Sequence, residues 1–201
     1  MAEAEGEGAP AAEVAPEPAG PVASAELLEA CMLGRAAKLN TYFAKRPDEK
    51  EMINELKSSK NGWSPLQVAA GYGKAEAVAA LLELGNKADL VDKLGMTVVH
   101  IAGGNAEKEV LPTILRDASG VAAIDVQDED GCTALHYAAY ANLKDNVISL
   151  LRAGANKDLQ DAEGRTAQKV AEEQKNKECI DVLVNGPPPE DAPEEGGAEG
   201  A

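Results

Sequence analysis

The sequence repeats with a period of about 33 residues, and this period constrains the fold more than any other feature. Each copy opens on a glycine, and these glycines are regularly spaced along the chain: Gly62, Gly95, Gly131 and Gly164. Two aliphatic residues 16 positions apart recur inside three copies: Leu66 and Leu82, Val99 and Leu115, Leu135 and Leu151. A unit of this length cannot bury its apolar face alone, so the period predicts a solenoid of stacked units.

The third copy carries the most complete motif, Asp130-Gly-Cys-Thr-Ala-Leu-His-Tyr-Ala-Ala139. This motif resembles the turn of ankyrin repeats, in which Gly-x-Thr-Pro-Leu-His opens two antiparallel helices. The first copy also keeps the proline of that turn, Pro65, and the glycine between its helices, Gly73. The resemblance covers nearly all of residues 23–186. It implies an all-α ankyrin-repeat solenoid of helix-turn-helix units joined by β-turn fingers.

The register of the repeats divides the chain into three full repeats between two caps. The predicted bounds are an N-terminal cap at 24–61, repeats at 62–94, 95–130 and 131–163, and a C-terminal cap at 164–186, with ten helices in all. Ser24 is a plausible N-cap for the first helix. The second repeat departs most from the pattern. Val98 replaces the proline, Ala106 replaces the glycine between the helices, and three extra residues lie near 119–124.

Acidic segments flank the repeats at 1–22 and 187–201. Both are rich in proline, alanine and glycine and contain no basic residue. Such segments bury too little apolar surface to offset the entropy of ordering, so we expect both to be disordered. The whole chain has 35 acidic and 19 basic residues, a formal net charge of −16. This charge argues against binding to nucleic acid or to an anionic membrane, and no apolar run is long enough to span a bilayer.

The only two histidines, His100 and His136, occupy the same position of successive repeats. The ankyrin resemblance implies a structural role for them, hydrogen bonding between neighbouring turns, rather than catalysis. The sequence contains no metal-ligand spacing, nucleophile motif or complete phosphate loop, so we predict neither a metal nor a cofactor. Cys31 aligns with a small buried position, and the odd number of cysteines favours reduced thiols. We therefore expect a cytoplasmic protein, with the nucleus left open as well.

The resemblance places partner binding on the concave side, formed by the finger tips and the exposed edge of each first helix. Trp63, Met96 and Arg165 occupy equivalent tip positions, and Tyr72 and Tyr140 fall late in first helices. Tryptophan and tyrosine are enriched in binding hot spots. The alternative is that Trp63 covers the 47–61 loop and the tyrosines pack on adjacent tips. The predicted partner-binding residues are Trp63, Tyr72, Leu94, Met96, Tyr140, Asp128, Glu129 and Arg165.

These features predict a non-enzymatic adaptor or assembly subunit that binds a protein partner and no small-molecule substrate. A chaperone or inhibitor of a basic client is the alternative function. In that case the tails and a row of acidic finger residues would shield the client: Asp92, Asp128, Glu129, Asp130, Asp161 and Glu163. Ionic strength distinguishes the two functions, because binding driven by charge weakens steeply as salt increases, whereas binding to an apolar patch does not.

Overall fold

Helices account for all the regular secondary structure that the computed structural model describes, which comprises residues 21–59 and 62–189. The helices of the N-terminal cap and first repeat are α1 (Ala25–Met32), α2 (Ala36–Lys45), α3 (Pro47–Glu51), α4 (Pro65–Gly71) and α5 (Ala75–Glu83). Those that follow are α6 (Val98–Gly103), α7 (Val110–Leu115), α8 (Ala118–Ala122), α9 (Ala134–Tyr140), α10 (Lys144–Arg152), α11 (Ala167–Gln174) and α12 (Lys177–Asn185). Isolated bridges join Val22 to Lys57 and Gln160 to Thr166.

The helices form two layers that run along the stack. The first helices of successive units pack on one another in the order α1, α4, α6, α9 and α11. The second helices do the same in the order α2, α5, α7, α10 and α12. One continuous apolar core lies between the layers, and it extends from Ala23 to Leu183. The predicted all-α solenoid is therefore confirmed.

Hydroxyl side chains begin the first helices, as the sequence predicts. The Ser24 hydroxyl accepts a hydrogen bond from the Leu27 N–H at 3.2 Å. Ser64 accepts one from the Gln67 N–H at 3.2 Å, and Thr166 accepts one from Lys169 at 3.3 Å. These bonds satisfy backbone donors that have no partner inside the helix. At the other end, α12 stops at Asn185, directly before the glycine and three prolines that cannot continue it.

The described chain has two helices more than the ten predicted, and both lie in connections between units. The short α3 opens on Pro47, whose fixed φ suits the first helical position. The extra residues of the second repeat form α8, in which Gly120 lies directly against the end of α7. A Cβ on Gly120 would stand 2.1 Å from the Ile114 carbonyl oxygen. Tertiary packing on α7, rather than helix propensity, thus holds the insertion in place.

The second repeat also departs from the others at its helix-helix turn. In the other four units a left-handed residue makes this turn: Gly34, Gly73, Asn142 and Lys175. Ala106 occupies the equivalent position and does not have a positive φ. The second helix consequently starts late. The distance along the chain from Gly95 to Val110, where α7 begins, exceeds by two positions the distance from Gly62 to Ala75, where α5 begins.

The flanking acidic segments are described only at their inner ends. The Pro21 carbonyl accepts a hydrogen bond from the Lys57 N–H at 3.1 Å, and the Ala23 N–H donates to the Lys57 carbonyl at 2.9 Å. Past α12, Arg152 donates to the Pro188 carbonyl at 2.8 Å. The rest of the two predicted disordered segments, 1–20 and 190–201, lies outside the described residues. Among residues 21–59 and 62–189, no helix is both long and apolar enough to cross a membrane.

Candidate protein-binding surface

Three aspartates, each three residues before a repeat glycine, shape the fingers. In each case one carboxylate oxygen accepts hydrogen bonds from the N–H groups two and four residues later, at 2.9–3.0 Å: Asp92, Asp128 and Asp161. The other oxygen of Asp128 accepts a 2.6 Å bond from the Tyr137 hydroxyl. Asp128 is 9% exposed and both of its carboxylate oxygens are bonded within the finger, so it shapes the finger, and its predicted role in partner binding stays a prediction. The recurring Asp-x-x-Gly spacing is the signal in the sequence for this structural role.

The two histidines connect each finger to the next. His100 Nδ1 accepts from the Thr97 N–H at 3.0 Å, while Nε2 lies 3.1 Å from the Cys132 carbonyl oxygen. His136 repeats this geometry, with 3.2 Å to the Thr133 N–H and 3.0 Å to the Arg165 carbonyl. An accepting Nδ1 and a donating Nε2 require a neutral ring. Burial lowers the pKa of His100, which favours the same state.

Gln67 performs the histidine's role in the first repeat, which its residue type alone does not reveal. Its side-chain oxygen accepts from the Ser64 N–H at 2.9 Å, and its nitrogen donates to the Met96 carbonyl at 2.8 Å. Position in the register is the signal, because Gln67 and His100 both lie five positions after the repeat glycine. Acceptor and donor atoms at the right separation matter here more than the imidazole itself.

Three of the asparagine side chains that join adjacent units donate to carbonyls at the ends of first helices, a role that sequence reasoning missed. Asn105 donates to the Ala70 carbonyl at 2.9 Å, across the first and second repeats. Asn176 donates to the Ala139 carbonyl at 2.8 Å, across the third repeat and the C-terminal cap. Asn146 donates to carbonyls at the end of α6, including Gly103 at 3.0 Å. Each satisfies carbonyls at a helix C-terminus, where the helix itself offers no donor.

The exposed apolar residues of the predicted patch are Tyr72, Leu94 and Tyr140, with exposed fractions of 55%, 58% and 63%. Met96 is half-buried, and its backbone carbonyl belongs to the bond with Gln67 described above. Glu129 is exposed, and its N–H donates to the Leu94 carbonyl at 3.0 Å. These hydrogen bonds fix neighbouring fingers relative to one another before any partner arrives.

Trp63 lies over the end of α4. A Cβ on Gly71 would come within 2.8 Å of the Trp63 ring, and Ile101 lies on the same side at 3.7 Å. Gly71, Gly104 and Tyr140 occupy one register position in successive repeats. Gly71 thus leaves room for the Trp63 ring at this position, whereas Tyr140 projects from it in the third repeat. We name the predicted partner-binding side that carries Trp63, Gly71, Tyr72, Gly104 and Tyr140 the aromatic face.

A groove of about 190 Å³ opens at the C-terminal end of the aromatic face. Its apolar lining comes from Tyr137, Tyr140, Val170 and Cys132, and its polar rim from Asp161 and Arg165. We name this feature the tyrosine groove. Burial, together with the charges of Asp128 and Asp161, raises the pKa of Cys132 to about 11, so its thiol is protonated at neutral pH. Cys132 therefore contributes an apolar wall to this groove rather than a nucleophile.

Arg165 forms ion pairs with three carboxylates of the third repeat and the C-terminal cap. Its Nε and Nη2 atoms lie 2.9 and 2.8 Å from Asp161 Oδ2, and its Nη1 atom lies 3.0 Å from Glu163 and 3.6 Å from Glu173. Burial opposes ionisation of Asp161, but the hydrogen bonds from Arg165 and Glu163 outweigh it and hold the pKa of Asp161 below its usual range. One guanidinium thus faces three carboxylates, and this cluster beside the groove is net negative.

The charge of the repeats is concentrated in their second half. Residues 23–94 contain ten acidic and ten basic residues, whereas 95–186 contain fifteen acidic and nine basic ones. Most of this excess lies in the second repeat, because 95–130 contains seven acidic and two basic residues, whereas 131–186, which carries the tyrosine groove, contains eight and seven. Within the described ranges, no cluster of histidine, cysteine and acidic side chains could hold a metal ion.

Comparison with known proteins agrees with this geometry. Residues 27–123 and 109–191 match the family model for ankyrin repeats in three copies. The chain belongs to the ankyrin-repeat family. Ankyrin repeats are in general protein-interaction modules, and the family is typically non-enzymatic. The resemblance of the turn motif is thereby confirmed.

Its curated relatives are much longer proteins. This ankyrin chain is 32% identical over 114 residues to the nuclear factor NF-kappa-B p105 subunit of Gallus gallus, a match that covers 56% of the chain and 12% of that protein. It is 36% identical over 95 residues to neurogenic locus notch homolog protein 4 of Homo sapiens, covering 47% and 5%. Identity to notch homolog protein 1 of Mus musculus is 26% over 140 residues, covering 54% and 6%. The chain thus spans only a small part of the length of each of these relatives.

Proposed function

We propose that this ankyrin protein is a non-enzymatic adaptor or assembly subunit that holds a protein partner on its aromatic face. The observation that carries the proposal is the exposure of Tyr72 and Tyr140 on a face whose backbone is already fixed. Large exposed aromatics on a rigid scaffold lose little entropy on binding and often dominate interface energy. The protonated, buried thiols of Cys31 and Cys179 suit a reducing compartment, and we propose the cytoplasm, with the nucleus also open.

Site-specific photo-crosslinking tests this proposal. A photoreactive phenylalanine analogue replaces Tyr72 or Tyr140 in separate samples of the full chain, which are irradiated in native extract. Val121, which is 43% exposed in α8, provides the matched control, because α8 packs on the second helix of its unit. We expect the same protein to be captured from both tyrosine positions and not from Val121. Capture from all three positions alike, or from Val121 alone, would contradict the proposal.

A second candidate is the chaperone or inhibitor of a basic client, which the charge of residues 95–186 favours. Three of its six acidic finger residues are occupied in turns, so the exposed charge comes from Glu129, Asp130 and Glu163. Deleting 1–20 and 190–201 should abolish protection of a basic client but leave an adaptor's binding intact. These bounds retain Pro21 and Pro188, whose carbonyls accept bonds from the folded part.

A further inference from the structure

The tyrosine groove has a chemical character that the rest of the aromatic face lacks. Tyr140 projects from the end of α9 with 63% of its surface exposed, beside a rim whose single guanidinium faces three carboxylates. Glu163 and Glu173 keep 70% and 41% of their side-chain surface exposed, so they can still meet a partner. An apolar, partly aromatic groove thus lies beside a carboxylate cluster whose charge Arg165 only partly neutralises.

An acidic or phosphorylated segment does not fit this groove. Among the described residues, Arg165 is the only arginine or lysine that lines it, and all three of its guanidinium nitrogens already lie within 3.6 Å of carboxylate oxygens. An incoming anion would have to displace Glu163 and Glu173 from Nη1, or displace Asp161, whose side chain is 1% exposed, and leave that carboxylate buried without its partner. Removing one member of a buried ion pair is strongly unfavourable.

A purely apolar segment does not use the groove fully either, because it would cover Glu163 and Glu173 without compensating their charge. A partner arginine satisfies both requirements at once. Its aliphatic stem can lie on Tyr137 and Val170 while its guanidinium faces the Tyr140 ring and the two glutamates. A cation over an aromatic face is attracted by the ring quadrupole, and the planar guanidinium also bonds carboxylates in pairs.

We propose that the tyrosine groove binds a basic segment of the partner protein, with an arginine side chain seated between Tyr140 and the Glu163–Glu173 pair. The proposal rests on the proposed function, since it names the chemistry of the partner that docks on the aromatic face. It places the anchor of the interface at the C-terminal end of that face, beside the three carboxylates around Arg165.

Selection of displayed random peptides on the immobilised full chain tests the proposal without knowledge of the partner. The best recovered peptide is then synthesised with a fluorescent label, once with arginine and once with citrulline, which is uncharged and of the same shape. Affinity is measured for the wild type, Tyr72→Ala, Tyr140→Phe, Tyr140→Leu and the double variant Glu163→Gln with Glu173→Gln. The control double variant, Glu109→Gln with Glu178→Gln, removes two exposed glutamates outside the groove. Thermal melts verify that each variant is folded.

We expect recovered peptides to be basic and to lose about tenfold in affinity when citrulline replaces arginine. Tyr140→Leu and the groove double variant should cause a similar loss, whereas Tyr140→Phe and the control variant should not. Basic peptides that bind the two double variants equally would overturn the inference. Apolar or acidic peptides that lose binding with Tyr72→Ala would overturn the inference and leave the proposed function standing. Peptides insensitive to every change on the aromatic face would overturn both.

Discussion

Replacing His100 by alanine or by glutamine tests whether its two hydrogen bonds, rather than the imidazole ring itself, stabilise the fingers. His100 is fully buried, and its ring joins the Thr97 N–H to the Cys132 carbonyl of the next finger. Alanine removes both bonds and leaves a donor and an acceptor without partners. Glutamine can restore them, because Gln67 makes the same two bonds at the same position of the first repeat.

The expected magnitude follows from these contacts. A buried polar group left without a partner costs about 1–3 kcal/mol, so the two groups and the small cavity together should lower the free energy of unfolding by about 2–4 kcal/mol. His100→Gln should lose less than about 1 kcal/mol. For a urea m-value of about 2 kcal/mol per molar, His100→Ala moves the unfolding midpoint down by about 1–2 M.

Urea unfolding followed by circular dichroism measures this difference. The single tryptophan, Trp63, gives a second signal from the first repeat, so local and global unfolding can be compared in one sample. Equal destabilisation by alanine and glutamine would refute the reasoning, since it would show that the imidazole itself, rather than its two hydrogen bonds, stabilises the fingers. An unchanged midpoint for His100→Ala would refute it as well.

Three further outcomes are expected. Gly120→Ala should destabilise the protein by about 1–3 kcal/mol, because its Cβ would meet the Ile114 carbonyl oxygen at 2.1 Å. Gly104→Ala, whose Cβ would lie 3.7 Å from its nearest neighbour, should be nearly neutral. Thermal melts that show equal effects of the two substitutions would contradict this. Because burial lowers the folded-state pKa of His100, the unfolded chain binds more protons than the folded chain below about pH 6.5. The free energy of unfolding should therefore fall between about pH 6.5 and 5, and it should fall less steeply in His100→Gln. The same pH dependence in both proteins would exclude His100 as the cause. Burial raises the thiol pKa of Cys31 to about 12 and of Cys179 to about 11, so both should react with Ellman's reagent near pH 8 only after unfolding in guanidinium chloride; rapid reaction in the native state would disprove their burial.

Much of the fold could be predicted from local signals. The glycine period placed the fingers, and the hydroxyl residues before each first helix marked where those helices begin. The short α8 could not be predicted in this way, because its five residues contain a glycine and no strong helical period. It exists because Gly120 can approach α7 closely, a contact that only the folded chain provides.

The candidate site was likewise predicted only in part from local signals in the sequence. Tyr72, Leu94 and Tyr140 were predicted from the register and are exposed where the register placed them. Asp128 was predicted to face a partner, yet its carboxylate bonds to its own turn and to Tyr137, nine positions later. Arg165 is similar, since three acids surround it. Charge counted along a sequence does not show which charges are already paired in space.

The sequence by itself determined the repeat, its register, the buried aliphatic positions and the family, because each depends on residues close together in the chain or at a fixed spacing. Only the tertiary structure decided which polar side chains connect one unit to the next. Gln67, His100 and Asn176 bond to groups in the neighbouring unit, far from them along the chain. The tyrosine groove likewise exists only because α9 and α11 pack side by side, which brings Tyr140 to the carboxylates around Arg165.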